Sequence, residues 1–407
     1  MDGLRSSTDP AGARAPEGTV DPAGPVCKGP LDGVTVVEFG GFIAGPFAGQ
    51  LLGDYGARVI KIEPPSGDPT RTWGVLDDRG QSLWWPGIAR NKESVVLDLK
   101  SEADRDVARK IIRGADVVLE NFAPGRMAEW ALDYASLAPE QPGLIMVHVS
   151  GFGQDGPRAA DRGFGSIAEA MGGLRALLGY PDRPPARAGI SFGDEVSGLF
   201  AVMGTMAALV ERSRTGLGQE VDVALYESVF ALSESLIPDY AIGGITRRRT
   251  GSTLPGIAPS NAYTCRDGVE VLIAANADSL FRRLCAAMDR PDPAADPRYA
   301  DHQARGTHAQ ALDREVAQWA ATLDAADVEA LLDEYDIPRG RIFTPADILG
   351  DEQYAARKMI TRVVADGYAD PVPMPSVVPK FSRSPGTIRA AGPRLGAHTD
   401  AVRAEFA

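Results

Sequence analysis

Metal and disulfide chemistry have little to draw on in this chain. Its three cysteines, Cys27, Cys265 and Cys285, stand far apart in 407 residues and form neither a CxxC pair nor a disulfide framework. The four histidines, His148, His302, His308 and His398, are as scattered and contain no HExxH or HxH pattern. No metal site is expected, and reduced thiols suit a cytoplasmic protein. Basic runs are missing as well. A net charge of −13 without a long Lys/Arg run argues against a nucleic-acid partner. Long hydrophobic runs are absent too. The longest, residues 196–210 (VSGLFAVMGTMAALV), is shorter than the ~20 residues a bilayer span needs. It reads as a buried helix, and no membrane partner is expected. Residues 1–27 mix Pro, Gly, Ala, Ser and Asp without the apolar segment of a signal peptide, and are expected to form a disordered arm.

What remains is ordinary globular material, 44% hydrophobic and 24% charged, in a chain long enough for two domains. Residues 34–39 (VTVVEF) read as a strand, 40–46 (GGFIAGP) as a Gly-rich turn, 47–55 as a helix stopped by Gly56, and 59–63 (VIKIE) as a second strand. This is a βαβ unit. The alternation continues with a strand at 95–99, a helix at 101–113 that Ser101 could cap, and strands at 116–122 and 144–149. A helix is expected at 166–178, then a Pro-rich loop and a short strand ending at Gly193. Asp194 would open the long helix, and a strand follows at 218–225. Apolar strands alternating with helices predict an α/β fold around a mostly parallel sheet. The composition changes in the Arg-, Gly- and Pro-containing stretch 246–261. The expected division is a large Rossmann-like domain over 28–225, a linker over 226–255, a smaller α/β domain over 256–344, and a C-terminal segment, 345–407, completing the large domain.

The turn GGFIAGP invites a dinucleotide reading, but Gly40 and Gly41 are adjacent and Phe42 stands where the second fingerprint glycine belongs. A nicotinamide oxidoreductase is therefore disfavoured. The turn still aims backbone N–H groups from a helix start, which suits a phosphate-bearing ligand. Asp194 follows Gly193 at the start of the long helix. A carboxylate there can cap the helix and stay ionised, and an ionised carboxylate is a workable nucleophile toward an acyl thioester. Arg71 and Trp73 (DPTRTW) and Arg90 (ARNKES) fall on loops, where binding residues concentrate. The stretch 120–125 (ENFAPG) ends a parallel strand, the side of such sheets where ligands bind. His148 lies inside an apolar strand and reads as a core residue. No G-x-S-x-G elbow with a triad is present, against an α/β-hydrolase.

As an ordered set, LDGVTVVEFGGFIAGPFAGQLLGDYGARVIKIEPPSGDPTR, RNKESVVLDLK, ADVVLENFAPG, VHVSGFGQDGP, RGFGSIAEAMGG, GDEVSGLFAVMGTMAALVERSRTGLGQEVDVALYE and PRLGAHTD resemble the family III CoA-transferases, the family of formyl-CoA transferase, carnitine CoA-transferase and α-methylacyl-CoA racemase. The resemblance runs from about Gly29 to the C-terminus. It implies an interlocked homodimer of two-domain subunits and Asp194 as a nucleophile that carries acyl groups and CoA in turn. It implies CoA contacts at Phe42, Ile43, Ala44, Leu97, Lys100, Asn121 and Phe122, with Arg126 as a candidate for the phosphates, and places Trp73 beside the acyl group. Arg71, Arg90 and Arg187 are candidates for an acceptor's distal carboxylate. No permanently bound cofactor is implied; coenzyme A and acyl-CoA enter as substrates, with succinyl-CoA or acetyl-CoA as donor. The racemase branch carries a His-Asp step where this chain has Phe164-Gly165, which disfavours racemisation. Some transferases carry Glu in place of Gly165. A silent CoA-binding homologue is the remaining alternative.

Overall fold

The computed structural model describes residues 29–407; the arm expected over 1–27 lies outside them. Six strands form the main sheet: β1 (Thr35–Glu38), β2 (Arg58–Glu63), β3 (Lys92–Val96), β4 (Val117–Glu120), β5 (Ile145–Ser150) and β6 (Glu220–Ala224). Their order is β3-β2-β1-β4-β5-β6. β1 pairs in parallel with both β2 and β4, and β2 with β3. This is the strand order of doubly wound dinucleotide-binding sheets, whose direction of winding reverses between β1 and β4. In sheets of this order the ligand crevice lies beyond the carboxyl ends of these two strands.

Sequence composition explains why the sheet forms. Consecutive residues Val36 and Val37, and Val117 and Val118, are all fully buried, as strands covered on both faces require. Helix α1 (Ala44–Asp54) follows β1, starting earlier than expected and taking Pro46 into its first turn, where a missing N–H costs nothing. Helix α2 (Glu102–Arg113) buries Ala108, Ile111 and Ile112 from one face and leaves its charged residues in water. Each of the two isoleucines contributes about 1.5–3 kcal/mol on burial. Ser101 does occupy the N-cap position, but its hydroxyl makes no capping bond.

The chain divides into two compact units. The first takes the described residues up to Val147 together with Ala201–Val221 and Gln353–Ala407. Its tail docks on β3: Ser94 donates its N–H to His398 Nδ1 and Val96 to Thr399 Oγ1. Arg58 ties the last helix down by bonding both Glu93 and Glu405.

The second unit takes His148–Phe200 and Asp222–Glu352. An antiparallel sheet, β7 (Ser260–Thr264), β8 (Glu270–Ala274) and β9 (Arg339–Arg341), buries Val271 and Ile273 in one core with Phe281, Leu284, Leu312, Val316, Val328 and Leu332. The stretch 148–200, read from sequence as part of the large domain, clusters here because helix α3 (Gly165–Met171) packs on helix α6 (Leu225–Phe230). The helix expected over 166–178 is two helices, α3 and α4 (Leu174–Leu177), broken at Gly172-Gly173. The strand expected before Asp194 is irregular backbone, and helix α5 (Phe192–Thr215) begins two residues earlier than expected.

Candidate active site

The crevice of the first unit is built on two turns tied together. After β1, Gly41 donates its N–H to Asn121 Oδ1 at 3.1 Å, and Asn121 Nδ2 donates to Gly41 O at 2.7 Å. Gly40 allows this approach: its φ is +91° and a Cβ there would lie 1.9 Å from Asn121 Oδ1. Phe42 has the left-handed φ of +67°, uncommon for a bulky residue and a mark of functional sites. Its N–H is accepted by Asp68 Oδ1 at 3.3 Å. Phe42, Ile43, Ala44, Asn121 and Phe122 thus lie together at the switch point. Phe42 and Trp73 are partly exposed and their rings lie 5.3 Å apart, with Trp84 6.3 Å from Trp73. Beside Asn121, Phe122 stacks edge-on against Trp130 at 5.3 Å, and exposed Arg126 lies over Trp130 while bonding Glu129.

Beneath the turn lies a buried charge network. Lys61 Nζ donates to Glu38 Oε1 (2.8 Å) and Gly40 O (3.2 Å) and pairs with Asp68 Oδ2 at 2.9 Å. Lys92 Nζ pairs with Glu38 Oε2 at 2.7 Å and donates to Pro46 O at 2.6 Å. Burial opposes the charge on Lys61, but Glu38, Asp68 and Glu63 outweigh it and raise its pKa. Burial, with the charge of Lys61, lowers the Lys92 pKa to about 8 despite Glu38. Both lysines bond carbonyls of the 40–46 turn, so the network holds the backbone that presents Phe42. Sequence reading missed it; the signal was a lysine at the centre of VIKIE, since a lysine in a central strand must be paired. Trp84, in SLWWPG, was missed as well.

Several expected site residues are placed differently. Arg71 makes a bidentate pair with Glu63 (2.8 and 2.7 Å), donates to Pro393 O and lies over Trp85. Arg90 is buried, makes a bidentate pair with Asp54 and donates to Pro375 O. Both guanidinium groups are committed to structural carboxylates, which corrects their assignment to an acceptor. The Leu97 side chain is in the core of the first unit, so only its backbone is available to a ligand. Lys100 is exposed.

In the second unit, Asp194 is the third residue of α5, and so lies in its first turn rather than at its cap. Its carboxylate lies beside Gly165, whose backbone N–H favours the charged form. A Cβ at Gly165 would lie 2.0 Å from Asp194 Oδ2, so the glycine makes the space that the carboxylate fills. Burial, then the charges of Glu169 and Glu195, push the Asp194 pKa up to about 6, against the pull of Arg187 and the Gly165 N–H. Asp194 is thus a carboxylate more basic than usual, ionised at neutral pH and still partly accessible. Arg187, exposed and acting on Asp194, is the predicted arginine placed near it. Among the described residues no cluster of His, Cys, Asp or Glu could hold a metal ion.

A doubly wound sheet with two turns tied together at its switch point defines an α/β protein of the class that binds ligands at that point. The chain belongs to CoA-transferase family III, whose profile matches residues 31–399, and it is a CoA-transferase acting on acyl-CoA substrates. It is 49% identical over 370 residues to succinyl-CoA–D-citramalate CoA-transferase of Chloroflexus aurantiacus, covering 91% of this chain and 92% of that one. It is 38% identical over 380 residues to the beta subunit of succinyl-CoA–L-malate CoA-transferase of the same organism, covering 93% and 94%. A CAIB/BAIF family protein from Brucella suis superposes with a TM-score of 0.82 at 34% identity, covering 93% of this chain and all of that one.

Proposed function

We propose that the protein moves coenzyme A from succinyl-CoA to a short dicarboxylic acid, with Asp194 as the nucleophile. The observation that carries this is the Asp194 carboxylate, seated against Gly165 and made unusually basic. The relatives named for succinyl-CoA, D-citramalate and L-malate support the choice of donor and acceptor class.

An Asp194 oxygen attacks the thioester carbonyl; a C–O bond forms, the C–S bond breaks, and CoA leaves as thiolate. The thiolate attacks the aspartyl carbonyl of the mixed anhydride, releasing the donor acid as carboxylate and leaving an aspartyl-CoA thioester. The acceptor carboxylate attacks that thioester and expels CoA thiolate. The thiolate then takes the acceptor acyl group from the anhydride and frees Asp194. The two carboxylate attacks need Asp194 or the acceptor ionised, and each oxyanion needs N–H donors. Arg187 supplies a positive charge for the acceptor's distal carboxylate.

The crevice at β1 and β4 is the proposed CoA seat, with Phe42, Ile43, Ala44 and Asn121 offering backbone and amide groups and Arg126 a phosphate partner. Trp73 and Phe42 offer an aromatic surface. Leu199, Met203, Met206 and Val210 recur at helical spacing on the exposed face of α5, which supports burial of this face in a homodimer. Two buried free thiols, Cys265 and Cys285, suit the cytoplasm.

Mass spectrometry of the purified enzyme with succinyl-CoA and a panel of carboxylic acids tests the reading. New acyl-CoA products that vanish in Asp194→Ala support it; undiminished transfer by Asp194→Ala would overturn the nucleophile.

A further inference from the structure

Glu169 is a buried carboxylate whose one charged partner among the described residues is a loosely placed arginine. It lies one turn beyond Gly165 on α3, so the two share a helix face, the face against which the Asp194 carboxylate sits. Its exposure is 0%, and among the described residues neither carboxylate oxygen has a hydrogen-bond partner. Its ion pair is with Arg175 on α4, Nε to Oε2 at 3.5 Å, without hydrogen-bond geometry. A buried carboxylate held this loosely carries a desolvation cost that a leucine would not. Such a cost points to a use at the site it faces.

We propose that Glu169 is a positioning residue whose negative charge, set behind Asp194, drives acylation of the nucleophile by making its free carboxylate the less favourable state. The proposal rests on the reading of Asp194 as nucleophile. When Asp194 takes up an acyl group or CoA it loses its charge, and the repulsion from Glu169 is relieved. In the free enzyme the same repulsion makes Asp194 more basic, and so a better nucleophile. The charged groups acting on Asp194 are Glu169 from α3, Glu195 from its own helix and Arg187 from the preceding loop. Arg175, partly exposed, tempers Glu169 without satisfying it. Glu169 transfers no proton and forms no bond.

The test uses exchange of isotope-labelled succinate into succinyl-CoA, which needs no knowledge of the physiological acceptor. In Glu169→Gln the acid limb of kcat/KM is expected to move down by about one pH unit and kcat to fall about tenfold or more, with KM for succinyl-CoA nearly unchanged. In Arg175→Gln, which leaves Glu169 uncompensated, the acid limb is expected to move up. A wild-type profile in a folded Glu169→Gln overturns the proposal. Should that variant fail to fold, an unmoved or lowered acid limb in Arg175→Gln overturns it. Asp194→Asn, run alongside, separates the two levels: retained exchange sinks the nucleophile itself, whereas lost exchange with an unaltered Glu169→Gln sinks only the role of Glu169.

Discussion

The Asp194 carboxylate occupies the volume that a side chain at Gly165 would fill, with Oδ2 only 2.0 Å from the ideal Cβ position. The contact couples α3 to the first turn of α5. A larger residue at 165 requires Asp194 to sit elsewhere. Gly165→Ala is therefore expected to displace the carboxylate by an ångström or so and to lower transfer about a hundredfold, with the fold retained. Succinyl-CoA exchange measured beside circular dichroism checks both parts; full activity would contradict the geometry.

The same seat makes Asp194 costly to stability. Its folded-state pKa is raised from the usual 3.8 to about 6, chiefly by burial. The folded protein thus binds this proton more tightly than the unfolded chain. Its favourable contribution is complete below pH ~4 and is lost as pH rises through about 6. Asp194→Asn should therefore be inactive yet more stable above pH 7, by on the order of 2 kcal/mol, with the gain vanishing near pH 4. Urea unfolding at the two pH values checks the sign.

These two residues also mark how far the site is legible in sequence. Asp194 stands out because Gly-Asp precedes a long apolar helix, and the β/α alternation gives the parallel sheet. The turn 40–46 and the stretch 120–125 can each be placed at strand ends. Their adjacency cannot be read, because it depends on β4 docking beside β1, 80 residues away in sequence, and on the Asn121 amide that ties them. Glu169 is not legible either: in AEAMGG it looks like one more surface acid of a helix, and only packing reveals that it is buried. Arg71 and Arg90 mislead for the converse reason. A loop arginine looks available until its buried carboxylate partner is located.

Lys61 tests the network under the turn. Removing its charge in Lys61→Met leaves Asp68 without its cation and Glu38 with Lys92 alone. Breaking a buried pair by deleting one partner costs about 3–5 kcal/mol. The variant is expected to lose that much in urea unfolding. If it still folds, its KM for acyl-CoA should rise, because Gly40 O and the Asp68 contact to Phe42 lose their anchor. A stability change below 1 kcal/mol would show that the network is not what holds the turn.

The arginines give the most discriminating comparison. Arg187 is exposed and acts on Asp194; Arg90 is buried on Asp54. Arg187→Ala is expected to leave the melting temperature nearly unchanged and to raise KM for a dicarboxylic acceptor about tenfold or more, the worth of one charge-assisted contact. It should have less effect on a monocarboxylic acceptor, which lacks the distal group. Because Arg187 holds the Asp194 pKa down, its loss should also move the acid limb of the rate profile upward. Arg90→Ala is expected to do the reverse: it strands Asp54 in the core, costs about 3–5 kcal/mol, and leaves the ratio of di- to monocarboxylate KM values as in the wild type. Steady-state kinetics on paired acceptors, with thermal melts of both variants, separate the two roles. Equal loss of selectivity in both would mean that the acceptor's distal carboxylate is recognised elsewhere.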